Sequence, residues 1–259
     1  MISLKEIQKF YPPELQHFER FILREYLQYK ILEIVFNSSY AGKLCFLGGT
    51  CLRIVHNNNR FSEDIDFDNF ALTENDFEEI SAIIKKELSR LGYQVTIKKV
   101  IKGAFHCYIR FPGLLFQQGI SEHVEEKILI QLDTEPQNFL FEPQKPIINK
   151  FDVFTQINST PKDILLSQKI YAILNRPRKK GRDFYDVVFL LKSVKPNYAY
   201  LEQKLKITNA VQLKKKLIEV CDNNDMNGLA KDVEPFLFYH QETKMVSLFK
   251  EFIEQTKLD

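Results

Sequence analysis

Two short segments carry residue types and spacings suited to phosphate chemistry. Gly48-Gly49-Thr50 follows the apolar run Leu44-Cys45-Phe46-Leu47, and Asp64-Ile65-Asp66-Phe67-Asp68 follows a little later. Glycines at a strand-to-helix turn let the backbone approach a phosphate that faces helix N-terminal amides. Strict alternation places Asp64, Asp66 and Asp68 on one strand face and Ile65 and Phe67 on the other. Carboxylates two residues apart on a strand converge and can share hard cations. Divalent ions bridging phosphates serve phosphoryl and nucleotidyl transfer, because the metal neutralises oxygen charge as the bond to the leaving pyrophosphate breaks. The plain alternative is a solvated sheet face beside an ordinary turn. Three like charges on one short strand repel, however, and a bound cation is a physical reason for tolerating them.

A second constellation lies further on. Lys169 and Arg176 are seven residues apart and share a helix face, and between Arg176 and Arg182 five of seven residues are basic. Such a positive loop between helices suits a triphosphate or an RNA backbone. Ordinary helix chemistry also accounts for part of it: Asp183 and Asp186 favour the dipole of a helix start, and Arg182 can pair with Asp186 at i,i+4.

The elements that must position these residues are legible as changes of hydrophobic period. The first ~37 residues are expected to be helical, with Pro12 and Pro13 in a first turn and Leu15, Phe18, Ile22, Tyr26 and Tyr29 at helical spacing. A strand at 44–47 leads through the glycines into a short helix containing Leu52, Ile54 and Val55. Thr73 with Asp76 resembles a capping box before the stripe Phe77, Ile80, Ile84 and Leu88, and Gly92 can close that helix. Strands are expected at 93–100, 104–111 and 127–133 from their β-branched and aromatic content. Pro136, Pro143 and Pro146 then lead to a helical remainder, in which Thr160-Pro161-Lys162-Asp163 reads as a cap, a first-turn proline and an acidic third position. That helix should run to about Asn175, and a second should begin near Arg182. These signals divide the chain into a mixed α/β half, 1–155, and a helical half, 156–259.

Composition bounds the rest. With 259 residues, 44% of them apolar, fibrous and disordered classes are excluded. A net charge of +2 means that any basic surface must be local. Four cysteines without a Cys-x-x-Cys pair and five histidines without metal spacing argue against zinc. No apolar run approaches the ~18 residues of a bilayer crossing, and the start MISLKEIQKF lacks a signal-peptide core, so a cytoplasmic protein with no membrane partner is the expectation. Lys214-Lys215-Lys216 reads as a solvated helix face, and the phenylalanines as core.

Taken in order, Gly48-Gly49-Thr50-Cys51-Leu52-Arg53, Arg60-Phe61-Ser62-Glu63-Asp64-Ile65-Asp66-Phe67 and Lys169 through Arg182-Asp183-Phe184-Tyr185-Asp186 resemble the AbiEii/AbiGii-type nucleotidyltransferase toxins. These belong to the DNA polymerase β-like nucleotidyltransferase superfamily. Lys231-Asp232-Val233-Glu234-Pro235-Phe236 is similar to that family's C-terminal Asp-Val element. Thr50 stands where the wider superfamily has a Gly-Ser pair, with a hydroxyl retained.

The resemblance implies an α/β (α+β) architecture: a mixed-sheet nucleotidyltransferase palm followed by a helical C-terminal domain. It implies metal-dependent transfer of a nucleoside monophosphate from an NTP to an acceptor, with the 3′ end of a tRNA the favoured one. It further implies a toxin paired with a separate winged-helix antitoxin. Asp64 and Asp66 match the metal-binding pair for two Mg²⁺. Gly48, Gly49 and Thr50 match the phosphate turn, with Arg60 and Ser62 beside them on the substrate side. Lys169, Arg176, Arg182, Asp183 and Asp186 fall in the later motif, where Lys169 would balance triphosphate charge and Asp186 would position Arg182 and Lys169. The third carboxylate that the superfamily requires is assigned to Asp133, at the end of an apolar run, with Asp152 as the alternative. Asp133 would also accept the proton of the attacking hydroxyl. Two other functions fit the same residues: transfer to a small-molecule or protein hydroxyl, and a non-catalytic nucleic-acid or partner-binding module.

Overall fold

The apolar run at 44–47 and the alternating aspartates become neighbouring strands of one sheet. The computed structural model describes residues 2–259, which divide into two units. The first runs to Asn57 and resumes over Phe61–Ser159; the second joins Asn58–Arg60 to Thr160–Asp259.

In the first unit, α1 (Leu4–Gln8) and α2 (Glu19–Phe36) precede β1 (Leu44–Leu47) and α3 (Gly48–His56). Next come β2 (Ile65–Asn69), α4 (Glu74–Arg90), β3 (Thr96–Lys102), β4 (Ala104–Pro112), α5 (Leu114–Gln117) and β5 (Lys127–Glu135). A separate hairpin pairs β6 (Ile147–Lys150) with β7 (Val153–Gln156). The five-stranded sheet has the order β1-β2-β5-β4-β3 and is mixed, since β2 and β5 run parallel while its other pairs are antiparallel. α2 and α4 pack on each other and on this sheet. The capping box at Thr73 and Asp76 forms, and Phe77, Ile80, Ile84 and Leu88 are buried. Period-2 alternation then sorts the strands: Ile65, Phe67, Cys107, Ile109, Ile130 and Leu132 are buried, whereas Asp66, His106, Gln131 and Asp133 point the other way and are half-exposed.

In the second unit, α6 (Lys162–Asn175) and α7 (Gly181–Leu191) pack together, followed by α8 (Tyr198–Leu205), α9 (Ala210–Asp222), α10 (Met226–Val233), α11 (Lys244–Ser247) and α12 (Phe249–Gln255). Phe184, Val187 and Leu190 bury the inner face of α7. A Cβ on Gly181 would run into the Leu229 carbonyl, so this glycine permits the close approach of α10. Asp232 accepts the Gly181 N–H at 3.0 Å and caps α7, which gives the 231–236 element a structural role.

Several expectations shift. The division at 155/156 would cut β7; the units part at 159/160, because Ser159 bridges to Phe46 and Gln144 in the first unit. Pro161, not Thr160, takes the N-cap of α6, and no side-chain oxygen caps that helix. Asp133 lies within β5 rather than at its end, since pairing continues to Thr134 and Glu135. The N-terminal segment is broken, with a 3₁₀ turn at Pro13–Leu15 between α1 and α2. Asp68 is buried rather than solvated, and its carboxylate accepts the Gln137 N–H at 2.8 Å. Asp68 keeps the strand parity of Asp66 but is covered, which leaves Asp66 the half-exposed carboxylate of β2.

Candidate active site

In the first unit the site is built on the β1–α3 turn and on the paired strands β2 and β5. Gly48 adopts φ +80, and a Cβ there would overlap Asp66 Oδ2 and lie 2.9 Å from Asp66 Cγ. The Asp66 carboxylate therefore lies over the bare backbone that opens α3. Leu47 and Asp66 are register partners across β1 and β2, which explains the approach. Thr50 is fully buried, and its hydroxyl donates to the Asp64 carbonyl. That bond ties the first turn of α3 to the residue that opens β2. The Thr50 hydroxyl thereby fixes Asp64.

Asp66 and Asp133 are directly opposed in the parallel β2–β5 ladder. On the far side of Asp133 stands its antiparallel partner His106, whose Nδ1 lies 2.7 Å from Asp133 Oδ1. A carboxylate only accepts, so Nδ1 carries the proton. Gln131 Nε2 donates to both Asp133 oxygens, at 3.0 and 2.8 Å. Asp152, the alternative third carboxylate, lies in the turn of the β6–β7 hairpin, which is not part of the five-stranded sheet, and pairs with Lys30 at 3.3 Å. Ser62 enters through its carbonyl, which accepts Gln28 Nε2 at 3.0 Å.

Hard anionic oxygens are the donor type that Mg²⁺ takes, and Asp66 and Asp133 present them on adjacent strands, with Asp64 immediately before β2. Among the described residues, no three such side chains are already closed around one point. The fit is of donor type and register.

In the second unit, the later motif forms a buried ionic cluster. Arg60 is buried and grips Asp186 with two parallel bonds, Nε to Oδ1 at 2.7 Å and Nη2 to Oδ2 at 2.6 Å. Asn58 Nδ2 donates to the same carboxylate at 2.9 Å. Lys169 lies 2.9 Å from Asp186 Oδ2 and 3.1 Å from Asp183 Oδ1, and Arg176 holds Asp183 Oδ2 at 2.9 Å. Burial alone would push the Asp186 carboxyl up, but Arg60 and Lys169 overcome this and hold it below its ordinary range. Three cations face two carboxylates, so the cluster keeps one net positive charge.

This geometry revises five expectations. Arg60, expected on the substrate side, is buried with its guanidinium bound to Asp186 inside the second unit. Lys169 has two carboxylate partners rather than a free charge. Arg176, expected on the substrate side, pairs with Asp183. The partners of Asp186 are Arg60, Asn58 and Lys169, and the i,i+4 pair with Arg182 does not form. Lys179 donates to the Leu174 and Arg176 carbonyls at 3.1 and 2.9 Å, closing the C-terminus of α6.

Sequence reasoning missed His106, Gln131 and Asn58. His106 carried a usable signal, since in an alternating β4 it shares the parity of Tyr108 and Arg110, opposite buried Cys107 and Ile109. Asn58 and Arg60 carried none, because nothing local announces that three residues between α3 and β2 belong to the second unit.

A glycine turn leading into a helix, set beside aspartates opposed across a mixed five-stranded sheet, defines a catalytic unit of the nucleotidyltransferase class. The chain belongs to the AbiEii nucleotidyl transferase toxin family of type IV toxin–antitoxin systems, whose family model matches residues 30–247. Two solved structures from Helicobacter pylori share the fold. JHP933 is 18% identical, with a TM-score of 0.56 over 92% of this chain and 93% of that one. A protein assigned as a nucleotidyltransferase is 17% identical, with a TM-score of 0.54 over 90% and 94%. No curated protein matches the sequence. Membership in this family makes the chain a nucleotidyltransferase and implies a nucleotide substrate and a cognate antitoxin. Among the described residues, no helix is long and apolar enough to cross a membrane.

Proposed function

We propose that this toxin acts in the cytoplasm, where it transfers a nucleoside monophosphate from an NTP to the 3′-hydroxyl of an RNA, a tRNA being the favoured acceptor. The observation that supports a metal-dependent reaction is the opposition of Asp66 and Asp133 across β2 and β5, beside a glycine that leaves room for the Asp66 carboxylate. Asp64, Asp66 and Asp133 would hold Mg²⁺, which supplies neutralisation of phosphate oxygens and of the departing pyrophosphate. The first-turn amides of α3 would face the phosphates. Asp133 would accept the proton of the attacking hydroxyl as its oxygen bonds to the α-phosphorus and the bond to pyrophosphate breaks. Within the second unit, Lys169 keeps a third N–H beyond those engaged by Asp183 and Asp186, and with the cluster's net positive charge this would suit an anionic group bound to that unit.

The test is incubation of the protein with total RNA, Mg²⁺ and each labelled NTP in turn. Label in a discrete RNA band, lost on chelation and in Asp66→Ala, is the expected result. Label confined to protein or to small molecules would move the acceptor to those classes, and undiminished transfer by Asp66→Ala would sink the metal reading.

A further inference from the structure

The basic loop that would have held an RNA strand is partly consumed by its own fold, since Arg176 neutralises Asp183 and Lys179 closes α6. A different concentration of positive charge lies in the same unit. A cavity of about 550 Å³ opens where the ends of α6 and α8 meet α9, and its walls include Lys179, Lys204, Lys206, Lys216, Asn175 and Glu219. Four lysines against one glutamate leave an excess of three positive charges in one concavity, more than the +2 of the whole chain. Glu219 is itself drawn toward Lys215, at 4.0 Å. Lys206 and Lys216 are exposed on the rim, and neither side chain makes a hydrogen bond or an ion pair with another described residue. Lys206 also occupies the left-handed C-cap of α8 at φ 60, a conformation that glycine or asparagine adopts at less cost.

The geometry points to this cavity as a docking site for the phosphate backbone of the RNA acceptor, an inference that rests on the RNA-acceptor reading above. Like charges gathered around a concavity raise the local potential, and a polyanion is the partner that relieves it. Lys206 and Lys216 stand exposed at the rim while Lys179 and Lys204 are half-buried behind them, an arrangement open enough for an extended polyanion. Contacts of this kind position a strand without reading its sequence. The cavity adjoins the C-terminal end of α6, the helix that carries Lys169.

The experiment compares wild type with Lys206→Asn/Lys216→Gln, in which asparagine suits the left-handed position. A control, Lys98→Gln/Lys102→Gln, removes the same charge from exposed positions on β3. Affinity for fluorescent deacylated tRNA is measured over a salt series, with melting temperature and ATP affinity recorded for each protein. The expected result is a slope of log K against log salt made shallower by roughly 1–2 in the pocket variant alone, with melting temperature and ATP affinity unchanged. Wild-type affinity and slope in the pocket variant, or an equal change in the control, would overturn the pocket while leaving the acceptor reading intact. Absence of salt-dependent tRNA affinity in wild type would overturn both.

Discussion

Gly48 and Asp66 occupy adjoining space: the side-chain carboxylate of one fills the volume in which a side chain of the other would begin. Two constraints, a positive φ and this overlap, fall on the same glycine. Gly48→Ala should therefore lose about 1 kcal/mol to backbone conformation, and Asp66 must swing away because its carboxylate end is the part that can move. The variant should stay folded by circular dichroism and melt a few degrees lower. Its Mn²⁺ affinity and NMP transfer should both fall. A variant that binds Mn²⁺ and transfers label like wild type would show that the carboxylate position is not used.

His106 and Gln131 hold Asp133 from two sides. Removing the ring in His106→Ala frees the carboxylate to reorient, while His106→Asn keeps a donor near the Nδ1 position. Mn²⁺ affinity of the NTP-free protein should fall in His106→Ala and be largely restored in His106→Asn, with little change in melting temperature. Equal affinity in all three proteins would reduce His106 to a bystander.

Arg60 is the buried partner of a buried carboxylate, so its removal leaves a charge without its two best bonds. Arg60→Ala should destabilise the protein by ~3–5 kcal/mol in urea unfolding. Lys169→Ala should destabilise it as well, though by less, because Arg60 and Asn58 still hold Asp186 and Arg176 still holds Asp183. Loss of NTP affinity in Lys169→Ala with an unchanged unfolding midpoint would assign that lysine to the ligand alone.

Glu25 provides a pH test in the first unit. Tyr11, Arg53 and Lys150 each bond it at 2.7 Å, and although burial pushes its carboxyl up, Arg53 and Lys150 bring it down to about 2. The folded state thus binds the proton less readily than the unfolded chain, whose glutamate titrates near 4.5. Its contribution is complete above pH 4.5 and is lost as pH falls from there to about 2, on the order of 3 kcal/mol over that window. Glu25→Gln should lower stability at neutral pH and flatten this part of the acid limb. An acid limb as steep as wild type would contradict the assignment.

The residues by themselves determined the local pieces. The alternation at 64–68 put Ile65 and Phe67 in the core, the capping box at Thr73 opened α4, and the glycines marked the turn from β1 into α3. Asp133 could be chosen because an apolar run pulls its strand into a sheet. What only tertiary structure decided was partnership. Parallel pairing of β2 with β5 sets Asp66 against Asp133, and the segment after β5 covers Asp68 with the Gln137 N–H. Arg60 passed from a presumed substrate contact to the clamp on Asp186, across 126 residues of sequence. The physical reason is range. Hydrophobic period and cap chemistry act over a few neighbouring residues and are written in them, whereas a buried charge takes whichever counter-charge the completed packing delivers, and no local pattern records which one that is.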